Sequence, residues 1–320
     1  MNHVIIIAEA GVNHNGDIKL AEKLVEEASA AGADYVKFQS FKAEKLVSRY
    51  AQKADYQKET TGTNESQFEM IKKLELDRKI HEELIDYCKI KDIQFLSTAF
   101  DHDSIDLLAE LNIPLFKIPS GEITNLPYLR HIGKMGKPII MSTGMSTLDE
   151  VRDALNVLIE SGAEKEQVTI LHCNTEYPTP MKDVNLKAML TIKDELGVNI
   201  GYSDHTLGIE IPIAAVAMGA TVIEKHFTLD RNMEGPDHSV ALEPEEFSRM
   251  VKSIKLTEKA FGSSYRRILP DEKEFVEVGR RSLVTTRKIK KGEVISDQDI
   301  TIKRPGTGIA PCFIHIVVGR

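Results

Sequence analysis

The chain has 320 residues, 42% apolar and 28% charged, with 41 basic against 49 acidic side chains and a formal charge of −8. That length suits one large domain with an appendage, or two ordinary domains, and the composition excludes a disordered or fibrous chain. There is no basic excess to attract nucleic acid or an anionic membrane.

The opening apolar run, 4–8, is too short for a signal core, and no later run is long enough to span a bilayer. The three cysteines, Cys88, Cys173 and Cys312, are far apart and lack CxxC spacing. Reduced thiols in the cytoplasm are therefore expected, with Cys173 a small buried hydrophobe at the end of its strand. Short β-rich runs occur at 4–8, 35–40, 93–98, 115–120, 138–144, 168–173, 198–204 and 221–227. Helical spacing fills the gaps: Leu20, Leu24, Ala28 and Ala31 recur at three and four residues over 18–31, with further helices at 147–162 and 208–218. Eight βα units over about 260 residues predict a parallel, closed (β/α)8 TIM barrel, with an open doubly wound sheet as the alternative. The long polar connection 41–66, which carries Tyr50, Tyr56 and the TTGTN stretch at 60–64, has the length of a lid or interface loop. The rhythm stops near 263. We therefore divide the chain into a catalytic barrel, 1–263, a charged linker, 264–280, and a small domain, 281–320.

Polar residues fall at the carboxyl ends of the predicted strands, the face on which barrels build active sites. Lys37 and Gln39 share one face of strand 2, opposite Val36 and Phe38, so their charge and amide point into the lumen. A lysine there is costly unless an anion meets it. Lys37 and Lys117, with Ser120 and Ser142 and the glycine turns at 121 and 144, resemble a cradle for phosphate or carboxylate. His205 and His226 stand on adjacent strands, within reach of one divalent cation such as Mn²⁺, Zn²⁺ or Fe²⁺. The histidines at 3, 81, 102 and 131 lie on helices, loops or the chain start and are expected to be solvated or structural.

Nine stretches in order then carry a resemblance: AEAGVNHNG at 8–16, VKFQ at 36–39, KIPSGE at 117–122, STGM at 142–145, LHCNTEYP at 171–178, YSDHT at 202–206, EKHFT at 224–228, GPDH at 235–238 and KRPG at 303–306. The series resembles the sialic acid (N-acetylneuraminate) synthases and the closely related N,N'-diacetyllegionaminate synthases. The resemblance implies a barrel followed by an antifreeze-like (SAF) domain, in a domain-swapped homodimer. It also implies that Lys37, Thr98, Lys117, Ser120, Ser142 and Ser203 hold phosphoenolpyruvate, and that His205 and His226 bind Mn²⁺, with Mg²⁺ or Co²⁺ as alternatives. Glu9, Gln39, Glu122, Tyr177 and Asp237 match positions lining an N-acylated amino sugar and a metal-bound water, and Phe100 falls among the strand-end residues near them. Arg304 matches a residue that reaches the partner subunit's sugar.

Some members have Thr-Asn where this chain has Asn174-Thr175, which leaves open which of the two contacts ligand. The small domain ends short of the family pattern, and 312–320 departs from it.

The implied reaction condenses phosphoenolpyruvate with N-acetylmannosamine to give N-acetylneuraminate and phosphate. Using 2,4-diacetamido-2,4,6-trideoxymannose to make N,N'-diacetyllegionaminate is the alternative. Glu9 is the expected carboxylate for the proton of the attacking water, with Glu122 the alternative, and Lys37 and Lys117 supply fixed positive charge. A metal-dependent aldolase or epimerase barrel would also use two histidines and a lysine, but would need neither the second lysine nor the serines. No nucleic acid or membrane partner is expected.

Overall fold

A computed structural model describes residues 3–49, 51–53 and 66–320. Tyr50, Tyr56 and the 60–64 stretch lie outside the described residues. Two compact units divide at Phe261 and Gly262.

In the first unit, eight parallel strands close into a barrel in sequence order: β1 (Ile5–Gly11), β2 (Tyr35–Ser40), β3 (Gln94–Ala99), β4 (Phe116–Ile118), β5 (Ile139–Ser142), β6 (Val168–His172), β7 (Asn199–Asp204) and β8 (Val222–His226). The helices that follow them are α1 (Ile18–Ala31), α2 (Arg78–Ile90), α3 (His102–Glu110), α4 (Leu126–Gly133), α5 (Leu148–Glu160), α6 (Ala188–Leu196), α7 (Glu210–Ala217) and α8 (Pro244–Phe261). α1 shows how local chemistry sets these units. Asp17 caps its first turn by accepting from Lys19 N–H, Gly32 ends it at φ 86°, and Leu24, Val25, Ala28 and Ala31 form its buried stripe.

Strand alternation sorts the barrel into two cores. Outward residues such as Ile6, Ala8, Val36 and Phe38 pack under the helices. Inward residues Ile7, Leu96, Leu115, Ile140, Leu171 and Val222 form a separate apolar layer that closes the lumen, each side chain worth about 1.5–3 kcal/mol of burial. Gly201 of β7 makes room for that layer. A Cβ on it would lie 2.5 Å from Leu171 Cδ2 and closer still to the Val222 carbonyl oxygen.

The second unit, Gly262–Arg320, holds an antiparallel pair, β9 (Ser282–Thr285) and β10 (Ile300–Lys303). Ser282 Oγ donates to Pro305 O at 2.7 Å and accepts Gly308 N–H at 2.9 Å, while Arg287 joins Asp299 (2.6 Å) to Glu293 (2.7 Å).

Candidate active site

One step above the apolar floor, the same inward positions turn polar. Glu9 stands two residues beyond Ile7, Thr98 beyond Leu96, Lys117 beyond Leu115, Ser142 beyond Ile140, Cys173 beyond Leu171, and Glu224 beyond Val222. Register then sets neighbours: Glu9 is level with Lys37 on one side and His226 on the other, Thr98 with Lys117, and Ser203 with Glu224. The result is a cavity of about 480 Å³ lined by these residues.

Glu224, which opens the EKHFT stretch and was given no role from the sequence, lies between the two lysines. Its Oε2 lies 3.6 Å from Lys37 Nζ, and its Oε1 lies 3.5 Å from Lys117 Nζ while accepting from Ser203 Oγ at 2.9 Å. Lys37 Nζ also reaches Glu9 Oε2 at 2.5 Å and donates to Thr98 Oγ1 at 3.0 Å. Lys117 Nζ donates to Ser142 Oγ at 2.7 Å.

Two carboxylates thus share the lysines unequally. Burial pushes Glu9 up to about 7 against the pull of Lys37. Burial acts on Glu224 in the same sense, but Lys117 and Lys37 outweigh it and hold that carboxyl at about 2. Burial lowers Lys117, whereas Lys37, despite burial, is held above its ordinary value by Glu224 and Glu9. Two ammonium groups therefore stand at one side of the cavity around Glu224, where the phosphate or carboxylate oxygens of a bound anion can meet them.

The rim holds the remaining groups. Gln39 Nε2 donates to Glu9 Oε1 at 3.3 Å. Gly11, at φ 54°, leaves the space where a Cβ would lie within 3.3–3.6 Å of Glu9, Gln39 and Asp237. Burial raises Asp237 to about 6.

The rings of His205 and His226 lie 5.4 Å apart, and Tyr177 packs on both, at 4.2 Å and 5.8 Å. Burial depresses both imidazoles, His226 well below its ordinary value, so each keeps a lone pair at neutral pH. His205 Nδ1–H donates to the Asn174 carbonyl, which leaves Nε2 as its free donor atom, and His226 Nδ1 is buried without a hydrogen-bond partner. Two neutral imidazoles, one with a buried nitrogen that has no protein partner, fit a divalent cation. Among the described residues, no group of three His, Cys, Asp or Glu side chains is placed to hold one, so the two imidazoles need oxygen ligands from water or substrate.

Of the other residues singled out, Phe100, Ser120 and Thr175 also line the cavity. Glu122 does not, because its carboxylate accepts Asn125 Nδ2 at 2.6 Å at the start of α4. Asn174 is also outside the lining. It lies on the opposite parity from Cys173 and Thr175, and its Nδ2 donates to Asp183 O at 2.8 Å. Its part is to orient His205 through its backbone. Arg304 lies exposed in the second unit, just after β10. Cys173 is buried as expected, yet its sulfur lies in the cavity wall, 3.3 Å from Ser120 Oγ and accepting Gly144 N–H at 3.1 Å.

Fold and site together define a TIM-barrel enzyme with two buried lysines beside two neutral imidazoles. The NeuB family model matches residues 24–266 and the SAF domain model residues 280–320. The chain belongs to the NeuB family of sugar acid synthases. It is 55% identical over 320 residues to the N,N'-diacetyllegionaminic acid synthase of Campylobacter jejuni, covering 100% of this chain and 96% of that one. The enzyme of the same name from Legionella pneumophila is 48% identical, covering 98% and 89%. The crystal structure of N-acetylneuraminic acid (sialic acid) synthetase from Leptospira borgpetersenii superposes with a TM-score of 0.74 at 34% identity, covering 86% of this chain and 90% of that one. No helix among the described residues is long and apolar enough to cross a membrane.

Proposed function

We propose that this enzyme condenses phosphoenolpyruvate with 2,4-diacetamido-2,4,6-trideoxymannose to give N,N'-diacetyllegionaminate and phosphate. The observation that carries the reading is the pair of buried lysines on either side of Glu224, with serine and threonine hydroxyls beside them, a set suited to the phosphate and carboxylate of phosphoenolpyruvate. For the sugar, the two relatives named as legionaminic acid synthases favour this substrate over N-acetylmannosamine, the first expectation from sequence. The cavity wall agrees with them. Beyond the polar centre it includes the apolar residues Val12, Phe41, Leu46, Ile71, Leu74 and Phe100, with Gln67 beside them, a surface that suits a deoxy methyl and an acetamido methyl.

On this reading Lys37 and Lys117 neutralise the phosphate and carboxylate throughout, with Thr98, Ser120, Ser142 and Ser203 supplying neutral hydrogen bonds. C3 of phosphoenolpyruvate bonds to the aldehyde carbon, water adds at C2, and the C2–O bond to phosphate breaks to leave the ketone. Balance requires one proton of the water to reach the former aldehyde oxygen and the other to leave with phosphate. Glu9, protonatable near neutrality and held by Gln39, is the group for the first. Asp237 and Tyr177 face the sugar. His205 and His226 would hold a divalent cation, which we take to be Mn²⁺ and which supplies Lewis acidity toward the sugar carbonyl. Arg304 is assigned to the sugar of a partner subunit in a homodimer.

Phosphate release with Mn²⁺ and each sugar tests the assignment. The trideoxy sugar should exceed N-acetylmannosamine by about 100-fold in kcat/KM. Equal values, or a preference for N-acetylmannosamine, would refute the sugar assignment, and no release with either would refute the condensation.

A further inference from the structure

The outer faces of β7 and β8 carry a second buried ion pair that the reaction just described does not use. Lys225 lies between Glu224 and His226, and Asp204 lies beside His205, so alternation turns both away from the lumen. Lys225 Nζ meets Asp204 Oδ2 at 2.5 Å, and both side chains are completely excluded from solvent. The same ammonium donates to the Thr206 carbonyl. Asp204 accepts in turn from Thr206 N–H at 2.9 Å and from Thr206 Oγ1 at 3.1 Å.

This ring falls where the two strands part. Their register runs Tyr202↔Ile223, Ser203↔Glu224, Asp204↔Lys225 and ends there. His205 and His226 lie one residue further on, beyond the last paired position. The backbone ladder between the strands thus ends at the level of the two imidazoles, and the Lys225 ring adds a side-chain tie there, fastening the chain on both sides of His205 to the strand of His226. A dry ion pair is a poor source of net stability, since apolar residues of the same volume do as well, so its value is geometric.

We propose that Lys225, Asp204 and Thr206 form a positioning clamp that holds His205 and His226 at chelating separation for a divalent cation. The clamp rests on the metal assignment made above. Partners of metal ligands typically change metal affinity by about 10–100-fold when removed.

The test is the double variant Asp204→Asn/Lys225→Met, in which both charges go together, the methionine fills the lysine stem and the amide oxygen still accepts Thr206 N–H. Mn²⁺ binding is followed by electron paramagnetic resonance, the Co²⁺ visible spectrum reports ligand geometry, and thermal unfolding is recorded in parallel. Expected are a Kd for Mn²⁺ raised about tenfold or more, altered Co²⁺ bands, and a melting temperature within a few degrees of wild type. A folded double variant with wild-type Kd and spectrum overturns the clamp alone. Wild-type protein that binds no Mn²⁺ overturns the metal assignment and the clamp together. Thr206→Val, which deletes one hydroxyl bond and keeps the charges paired, gives a second measurement if the double variant does not fold. Its Kd should rise about threefold, and an unchanged Kd counts against the clamp.

Discussion

Replacing Lys117 by methionine removes one of the two cations while keeping the length and most of the volume of the side chain. Free, the lysine donates to Ser142 Oγ at 2.7 Å and faces Glu224 at 3.5 Å. Under the proposed function it meets the incoming phosphate or carboxylate with its ammonium. Two unit charges at 4 Å attract by about 4 kcal/mol at the effective dielectric of such a site. The attraction to Glu224, which binding loosens, offsets part of this. A charge-assisted hydrogen bond nets about 1.5–3 kcal/mol, which converts to a Kd for phosphoenolpyruvate raised about 10–150-fold. Isothermal titration with phosphoenolpyruvate alone measures this without turnover, and a melting curve shows that Lys37 and Ser203 still support Glu224. A folded Lys117→Met enzyme with wild-type affinity would refute the assignment of this lysine to the anion pocket.

Gly201→Ala should be among the most damaging single-methyl changes in the barrel. Its Cβ would overlap Leu171 Cδ2 and backbone of β8, at a cost of about 1–3 kcal/mol or more, seen as a lower denaturation midpoint. The buried imidazoles of His14 and His238, depressed by burial to about 4 from 6.5, make stability depend on acid. A depressed base is neutral in the fold but charges first when unfolded, so stability is complete above pH 6.5 and lost as pH falls toward 4. Each histidine contributes about 3 kcal/mol to the loss. Urea titrations at pH 7.5, 6 and 5 should show it, and a flat profile would remove burial of these rings as its source.

The strands were legible because each is buried on both faces and reads as an apolar run. Their ends were not. The run at 115–120 keeps strand pairing only over Phe116–Ile118, since Pro119 has no N–H to donate and Ser120–Glu122 turns into a short 3₁₀ helix. Cavity-lining residues were legible where strand parity was applied, as with Lys37 and Gln39. Where it was not applied, the reading slipped. Val222, Glu224 and His226 alternate inward, so parity counted back from His226 points to Glu224 as well. Leu171, Cys173 and Thr175 do likewise, which excludes Asn174 from the lumen. Glu122 was beyond the reach of parity because it lies past the strand, in a turn whose direction only the fold decides.

The apolar layer beneath the lysines has a kinetic meaning. Ile7, Leu96, Ile140, Leu171 and Val222 seal the cylinder from below, so the cavity is a dead end with its anion pocket at the closed end and its rim groups near the entrance. A sugar seated at the rim blocks the passage behind it. Traffic through such a cul-de-sac is last in, first out, so under the proposed function the phosphorylated three-carbon substrate arrives before the sugar.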